Sequence, residues 1–270
     1  MVADGDPYFL GHSVVEQRRL QQQARDLADE SRQFFDQITI ATGAHVIEIG
    51  CGPQGCLGLL ADRVGPTGTV VGVEMSEHAV ELARRFVAAE ELVNVEVRHG
   101  NGKATGLARA SFDLATARLV LVNIPEAEHV VAEMAALVRP GGVVALHEAD
   151  WGMVLCDPPL PAWDTMIRAF LDYSVANGID PLIGRRTASL LRTSGLRDVR
   201  INPLIHIYDV HHSRRTLFPE FARNLRDRMV ASGVMTEQLF ASCHESLERH
   251  LANPDTVVIW AYFQGWATKP

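Results

Sequence analysis

The fold turns on one stretch, Glu48-Ile49-Gly50-Cys51-Gly52-Pro53-Gln54-Gly55. The run His45-Val46-Ile47-Glu48-Ile49 reads as a short strand leading into it, and residues 57–64 read as a helix leading out. Glycines between a strand and a helix permit a tight turn and let a ligand approach the backbone. Working outward, Thr69-Val70-Val71-Gly72-Val73 is a second strand, ending in Glu74. Residues 77–90 are a helix with Ala79, Leu82, Ala83 and Phe86 on one face. Val95-Glu96-Val97 is a third strand reaching Gly100-Asn101, and residues 112–121 are a fourth. A helix over residues 126–138 stops at Pro140-Gly141-Gly142, and residues 143–147 form a fifth strand. Strands alternating with helices predict an α/β fold with a parallel sheet covered on both faces. The continuously apolar run 143–146 fits a strand buried on both sides.

The flanks are less regular. Ser13 and Glu16 form a capping box, and Leu20, Ala24, Leu27, Ser31, Phe34 and Ile38 then recur on one helical face. Residues 1–43 are expected to be a helical lid, and residues 44–270 the main domain. Beyond Trp151 come a proline-rich loop at 157–161, helices at 163–176 and 185–194, and a strand at 199–210. Two more helices, at 214–232 and 236–251, precede a last strand at 256–263. The helical pair, about residues 212–253, interrupts the α/β pattern and is expected to cap the ligand pocket.

Composition excludes several classes. The 270 residues are 47% hydrophobic and 21% charged, which rules out wholesale disorder. A net charge of −8 argues against a duplex nucleic-acid binder. No uncharged apolar run approaches the ~18 residues of a membrane span, and no leader is visible. Cys51, Cys56, Cys156 and Cys243 lack C-x-x-C and zinc spacing, so they are expected to be free thiols in a cytoplasmic protein without a metal. A homo-oligomer stays open.

Gly50-x-Gly52-x-x-Gly55 matches a dinucleotide fingerprint, and a carboxylate at Glu74 can accept both hydroxyls of a ribose. Two cofactors are in play, a nicotinamide dinucleotide and S-adenosylmethionine. Glu48 would repel a diphosphate but attract an amino group. Asn101 can both donate to and accept from an adenine edge. No tyrosine is followed four places later by lysine, as dehydrogenase chemistry would want, because Lys103 and Lys269 lack that neighbour.

With these features in hand, residues 44–150 resemble the class I S-adenosylmethionine-dependent methyltransferases, in particular the ubiquinone/menaquinone-type, small-molecule branch. Phe112-Asp113-Leu114 onward and Arg139-Pro140-Gly141-Gly142 carry the rest of the likeness. The resemblance implies a Rossmann-like, seven-stranded, mostly parallel sheet with helices on both faces. It also implies roles. Glu48 would anchor the turn and face the methionyl ammonium, with Gly50 and Gly52 against the methionyl part and the ribose. Glu74 would bind the ribose hydroxyls and Met75 would pack on the adenine. Asn101 and Gly102 would read the adenine edge, and Arg118 would sit beside the methionyl end. Two departures stand out: Gln54 occupies the usual third glycine position, with Gly55 one place later, and Asn101 replaces the more usual aspartate.

Ligands of open α/β sheets bind beyond the carboxyl ends of the strands. His147, at the end of the fifth strand, is therefore the candidate for binding the acceptor or taking its proton. Arg19, on the polar edge of the lid helix, is a candidate for the cofactor carboxylate. Asp209, His211 and His212 read as a surface turn. Tyr8, Phe9, Trp151, Trp163, Phe170, Tyr173, Phe218 and Phe221 would supply aromatic surface to a small, rather apolar methyl acceptor. The expected activity is direct methyl transfer to such a metabolite. The alternatives are cofactor binding without transfer, as in a cyclase or regulator, and a nicotinamide oxidoreductase.

Overall fold

The computed structural model describes residues 14–270. Its sheet has seven strands: β1 (His45–Ile49), β2 (Thr69–Glu74), β3 (Val95–His99), β4 (Phe112–Arg118), β5 (Val138–Asp157), β6 (Arg197–Tyr208) and β7 (Val257–Thr268). Their order is β3-β2-β1-β4-β5-β7-β6. The first five are parallel, and β7 runs antiparallel to both β5 and β6. The Rossmann-like, mostly parallel sheet expected from the sequence is the fold.

Strand alternation divides the core. Val46, Val70, Val97, Leu114 and Ala145 face one side, against α2 (Ala28–Asp36), α3 (Leu57–Val64) and α4 (Glu77–Ala89). Ile47, Ile49, Ala115, Ala117, Val144 and Leu146 face the other, against α5 (Ala127–Leu137). On the far half of the sheet α7 (Ile183–Thr193) covers β5 and β7, with Gly184 against the Ala149 carbonyl. Two-sided burial explains why these strands are apolar at successive positions rather than alternately. All four cysteines are buried free thiols.

Three regions depart from the expected outline. The lid helix is two helices, α1 (Val14–Asp26) and α2, joined at the buried Leu27. The joint lets α1 lean over the ends of the strands while Phe34 and Phe35 of α2 stay packed on the sheet. Ser13, Tyr8 and Phe9 lie outside the described residues. The fifth strand runs on to Asp157, where a short strand and a loop were expected, because β5 re-pairs with β7 after a register shift between Asp150 and Leu155. Finally, α8 (Leu217–Ala231) and α9 (Glu237–Ala252), the expected insertion, pack with α6 (Pro161–Ala176) beyond this strand extension. Trp151, Trp163, Phe170 and Phe218 interlock there as buried core rather than as an open aromatic wall.

Candidate functional site

A cavity of about 730 Å³ opens at the carboxyl ends of β1, β2 and β4 and the segment after β3. That is within the range of small-molecule sites, roughly 300–1,000 Å³. Glu48, Gly50, Gly52, Glu74, Met75, Asn101, Gly102 and Arg118 all line it. Helix α1 roofs it with Gln17, Leu20, Gln23 and Ala24.

The turn after β1 is shaped by two close approaches. Gly50 has φ +67°, and a Cβ there would lie 2.5 Å from Val120 Cγ2. Gly55 has φ +54°, and a Cβ would fall 2.6 Å from Glu48 Oε2. Glycine one place later than usual is therefore required by the buried acid beneath the turn. Glu48 accepts a hydrogen bond from the Cys56 amide, 2.9 Å from each carboxylate oxygen. Burial pushes its carboxyl up to about 7, against the pull of Arg118 and that amide.

Glu74 is pre-oriented by the chain around it. Its Oε2 accepts from the Gly52 amide at 3.0 Å, and its Oε1 accepts from the Met75 and Ser76 amides at 2.8 Å. The carboxylate thus ties the glycine turn to the start of α4, where Ser76 caps the helix by accepting from Ala79. Asn101 closes a small turn by accepting from the Lys103 amide at 2.9 Å, and Met75 stays largely exposed at the rim. Arg118 donates to Ser31 Oγ at 2.7 Å and to the Gly55 carbonyl at 3.3 Å, joining α2 to the turn.

Some residues that build the site carry no motif. The buried Glu148 accepts from the amides of Val120, Leu121 and Val122 at 3.0–3.2 Å, fixing the turn after β4 that meets Gly50. Burial raises its carboxyl to about 8, in spite of those amides. Gln17 is buried on α1, and neither atom of its amide has a hydrogen-bond partner among the described residues. A buried amide facing a cavity without a partner is costly, so Gln17 fits a site completed by a polar ligand. Glu148 was recognisable as an acid at a strand end, but nothing in the pattern marked Gln17.

Two expected site residues lie elsewhere. His147 is buried away from the cavity lining, with Nε2 2.9 Å from Glu30 of α2, and Glu30 also lies 2.7 Å from His206 Nε2 on β6. Burial lowers the His147 pKa more than Glu30 raises it. Burial would raise the Glu30 pKa, but the two imidazoles hold it well below the usual carboxylate range. His147 thus fastens α2 to the sheet. Its position on β5 was legible, but the helix packed over it was not. Arg19 lies beside the cavity rather than on it. It forks onto Glu16 at 2.7–2.8 Å, donates to Gln23, and stacks 4.7 Å over Phe221 of α8. Asp209 and His212 accept backbone hydrogen bonds within a turn, and no cluster able to hold a metal occurs among the described residues.

Comparison with known proteins points the same way as the geometry. Residues 40–169 match a family model described as a methyltransferase domain. The likeness read from the sequence, to the S-adenosylmethionine-dependent methyltransferases, holds for this part of the chain. A demethylmenaquinone methyltransferase of Listeria monocytogenes is 30% identical over 134 residues, covering 50% of this chain and 54% of that protein. The chain spans about half the length of the curated relatives it matches. Among solved structures, geranyl diphosphate methyltransferase in complex with SAM is similar with a TM-score of 0.54 at 15% identity, covering 97% and 94% of the two chains. The cyclase SpnF is similar with a TM-score of 0.56 at 18% identity, covering 99% and 88%. At such identities the two structures speak for the fold. Among the described residues, no helix is long and apolar enough to cross a membrane.

Proposed function

We propose that this chain transfers the methyl group of S-adenosylmethionine to a small, rather apolar metabolite. The observation that carries the reading is the Glu74 carboxylate, held by three backbone amides at the rim of a cavity floored by the glycine turn and the buried Glu48. The unpartnered amide of Gln17 supports a polar ligand in the same space. When bound, the cofactor supplies a methyl group made electrophilic by its sulfonium.

The chain's own residues do the rest. Glu74 has a lone pair left on Oε2 for a ribose hydroxyl, with Met75 beside it for the adenine and Asn101 and Gly102 along the base edge. Glu48 offers negative charge for an ammonium, and Arg118 holds the turn closed over α2. Helix α1 excludes water from above, so alignment and desolvation contribute most of the catalysis asked of the protein. Toward β5 the cavity is bounded by Arg19 of α1 stacked on Phe221 of α8, beside the adjoining hollow. The likeness to demethylmenaquinone methyltransferase favours a planar, ring-bearing acceptor.

Calorimetry with S-adenosylhomocysteine on the native chain and on Glu74→Ala tests the cofactor site. Equal affinity in the two would refute the assignment. Formation of S-adenosylhomocysteine from S-adenosylmethionine with an acceptor separates transfer from a cyclase-like or regulatory use of the same pocket.

A further inference from the structure

A second, smaller hollow adjoins the cavity and shares Leu20, Gln23 and Leu119 with it. Its volume is about 30 Å³, about twice what one water needs, which suits a carboxylate-sized group. Its walls are Trp151, Trp260 and Tyr262 from the sheet and Phe221 from α8. Two guanidinium groups reach it, and their circumstances differ. Arg19 is neutralised by Glu16. Arg214 is 95% buried, since 5% of it is exposed, and it has no carboxylate partner among the described residues. It donates to Tyr262 Oη at 2.8 Å, while its Nε has no acceptor. The carboxylate acting on the same tyrosine, Glu30, is taken by His147 and His206. Trp260 Nε1 is also buried without a partner. By contrast the neighbouring Arg215, equally buried, is satisfied by the carbonyls of Asn253 and Thr256.

A buried cation without a counter-charge is costly unless a ligand supplies one. We propose that Arg214 is the specificity-determining residue of the acceptor subsite, and that the acceptor is an aromatic carboxylic acid. Its carboxylate sits on Arg214, beside Tyr262 and Trp260. Its ring lies in the larger cavity, against Leu20 and Leu119, which both spaces share. The carboxylate is the handle, not the methylated atom. This inference rests on the proposed methyltransferase reading and deepens it.

The test uses 2-naphthoate and the neutral 2-naphthamide, titrated into the full chain saturated with S-adenosylhomocysteine. Calorimetric binding of S-adenosylhomocysteine is measured first, so failure there counts against the methyltransferase reading and not against Arg214 alone. The native chain should bind the acid at least tenfold more tightly than the amide. Arg214→Met should lose that preference, and Arg214→Lys should keep part of it, with cofactor affinity unchanged in both. Equal binding of acid and amide by the native chain, or an undiminished preference in Arg214→Met, overturns the proposal. If Arg214→Met does not fold, the acid-to-amide ratio in the native chain and in Arg214→Lys decides: a ratio near one in the native chain, or one undiminished by lysine, overturns it.

Discussion

The sharpest consequence of the site concerns Glu48 and the protons exchanged on binding. Its carboxyl, raised from 4.5 to about 7 by burial, is half protonated near neutrality in the ligand-free chain. A ligand ammonium brought near the turn favours the ionised form. Returning the group to its ordinary range requires about 3 kcal/mol, at about 1.4 kcal/mol per pKa unit. A unit charge about 5 Å away, at an effective dielectric of about 20, supplies that much. Binding should therefore release close to one proton at pH 6, and the affinity for S-adenosylhomocysteine should fall about fivefold from pH 7 to 6 and about sevenfold from 6 to 5. The window stays below the ligand's own α-amino titration, near 8. Calorimetry in buffers of different ionisation enthalpy measures the released proton directly. Glu48→Gln should bind with no such slope.

The sign for stability runs the other way. A carboxyl whose folded value is raised binds more protons in the folded chain between 4.5 and about 7, so its contribution declines as pH rises through that window. Glu48→Gln should then stabilise the ligand-free chain at pH 8, by up to about 3 kcal/mol. Native affinity that is flat between pH 5 and 7, or a slope that survives in Glu48→Gln, would refute the reasoning about both the buried acid and the ammonium it is meant to face.

Other outcomes follow from the same geometry. Glu74→Ala should weaken S-adenosylhomocysteine binding about 10–100-fold by calorimetry, since hydrogen bonds to a charged acceptor are worth about 1.5–3 kcal/mol. Gly55→Ala should lower both cofactor affinity and melting temperature, because its methyl meets the Glu48 carboxylate at a positive φ. Glu30→Ala should cost about 1.5–3 kcal/mol in denaturant unfolding at pH 7, because the carboxylate ties two imidazoles of the sheet to α2. Because the Glu30 pKa is lowered, that cost should be fully present above about 4.5 and shrink as pH falls below it. Gln17→Ala should weaken the bound complex while leaving the ligand-free melting temperature unchanged or higher, as its amide has no partner to lose.

The readable part of this protein is the part governed by local rules. The run 45–55 announces strand, turn and helix because apolar continuity, glycine spacing and the following amphipathic helix are all short-range. The cofactor-side residues come with it: Glu74 sits at the end of the strand next to β1, and topology alone puts its carboxylate beside Gly52. The acceptor side obeys no such rule. His147 and Ala149 are two places apart on β5, yet Ala149 lines the hollow and His147 lies under α2. Strand alternation distinguishes neither, since both point to the same face. What separates them is how far α2 extends over the sheet before α1 bends away at Leu27, a packing outcome set by contacts from Phe34 to Trp266. Arg214 was hidden for the same reason. It follows a His-His turn that reads as surface, and its guanidinium is buried against Tyr208 of β6 and Tyr262 of β7, the second of them distant in the chain. If Arg214 holds the acceptor as proposed, recognition is encoded where sequence pattern is weakest, under a long-range cover, and buried polar groups without partners, such as the Gln17 amide and Arg214 Nε, are what point to it.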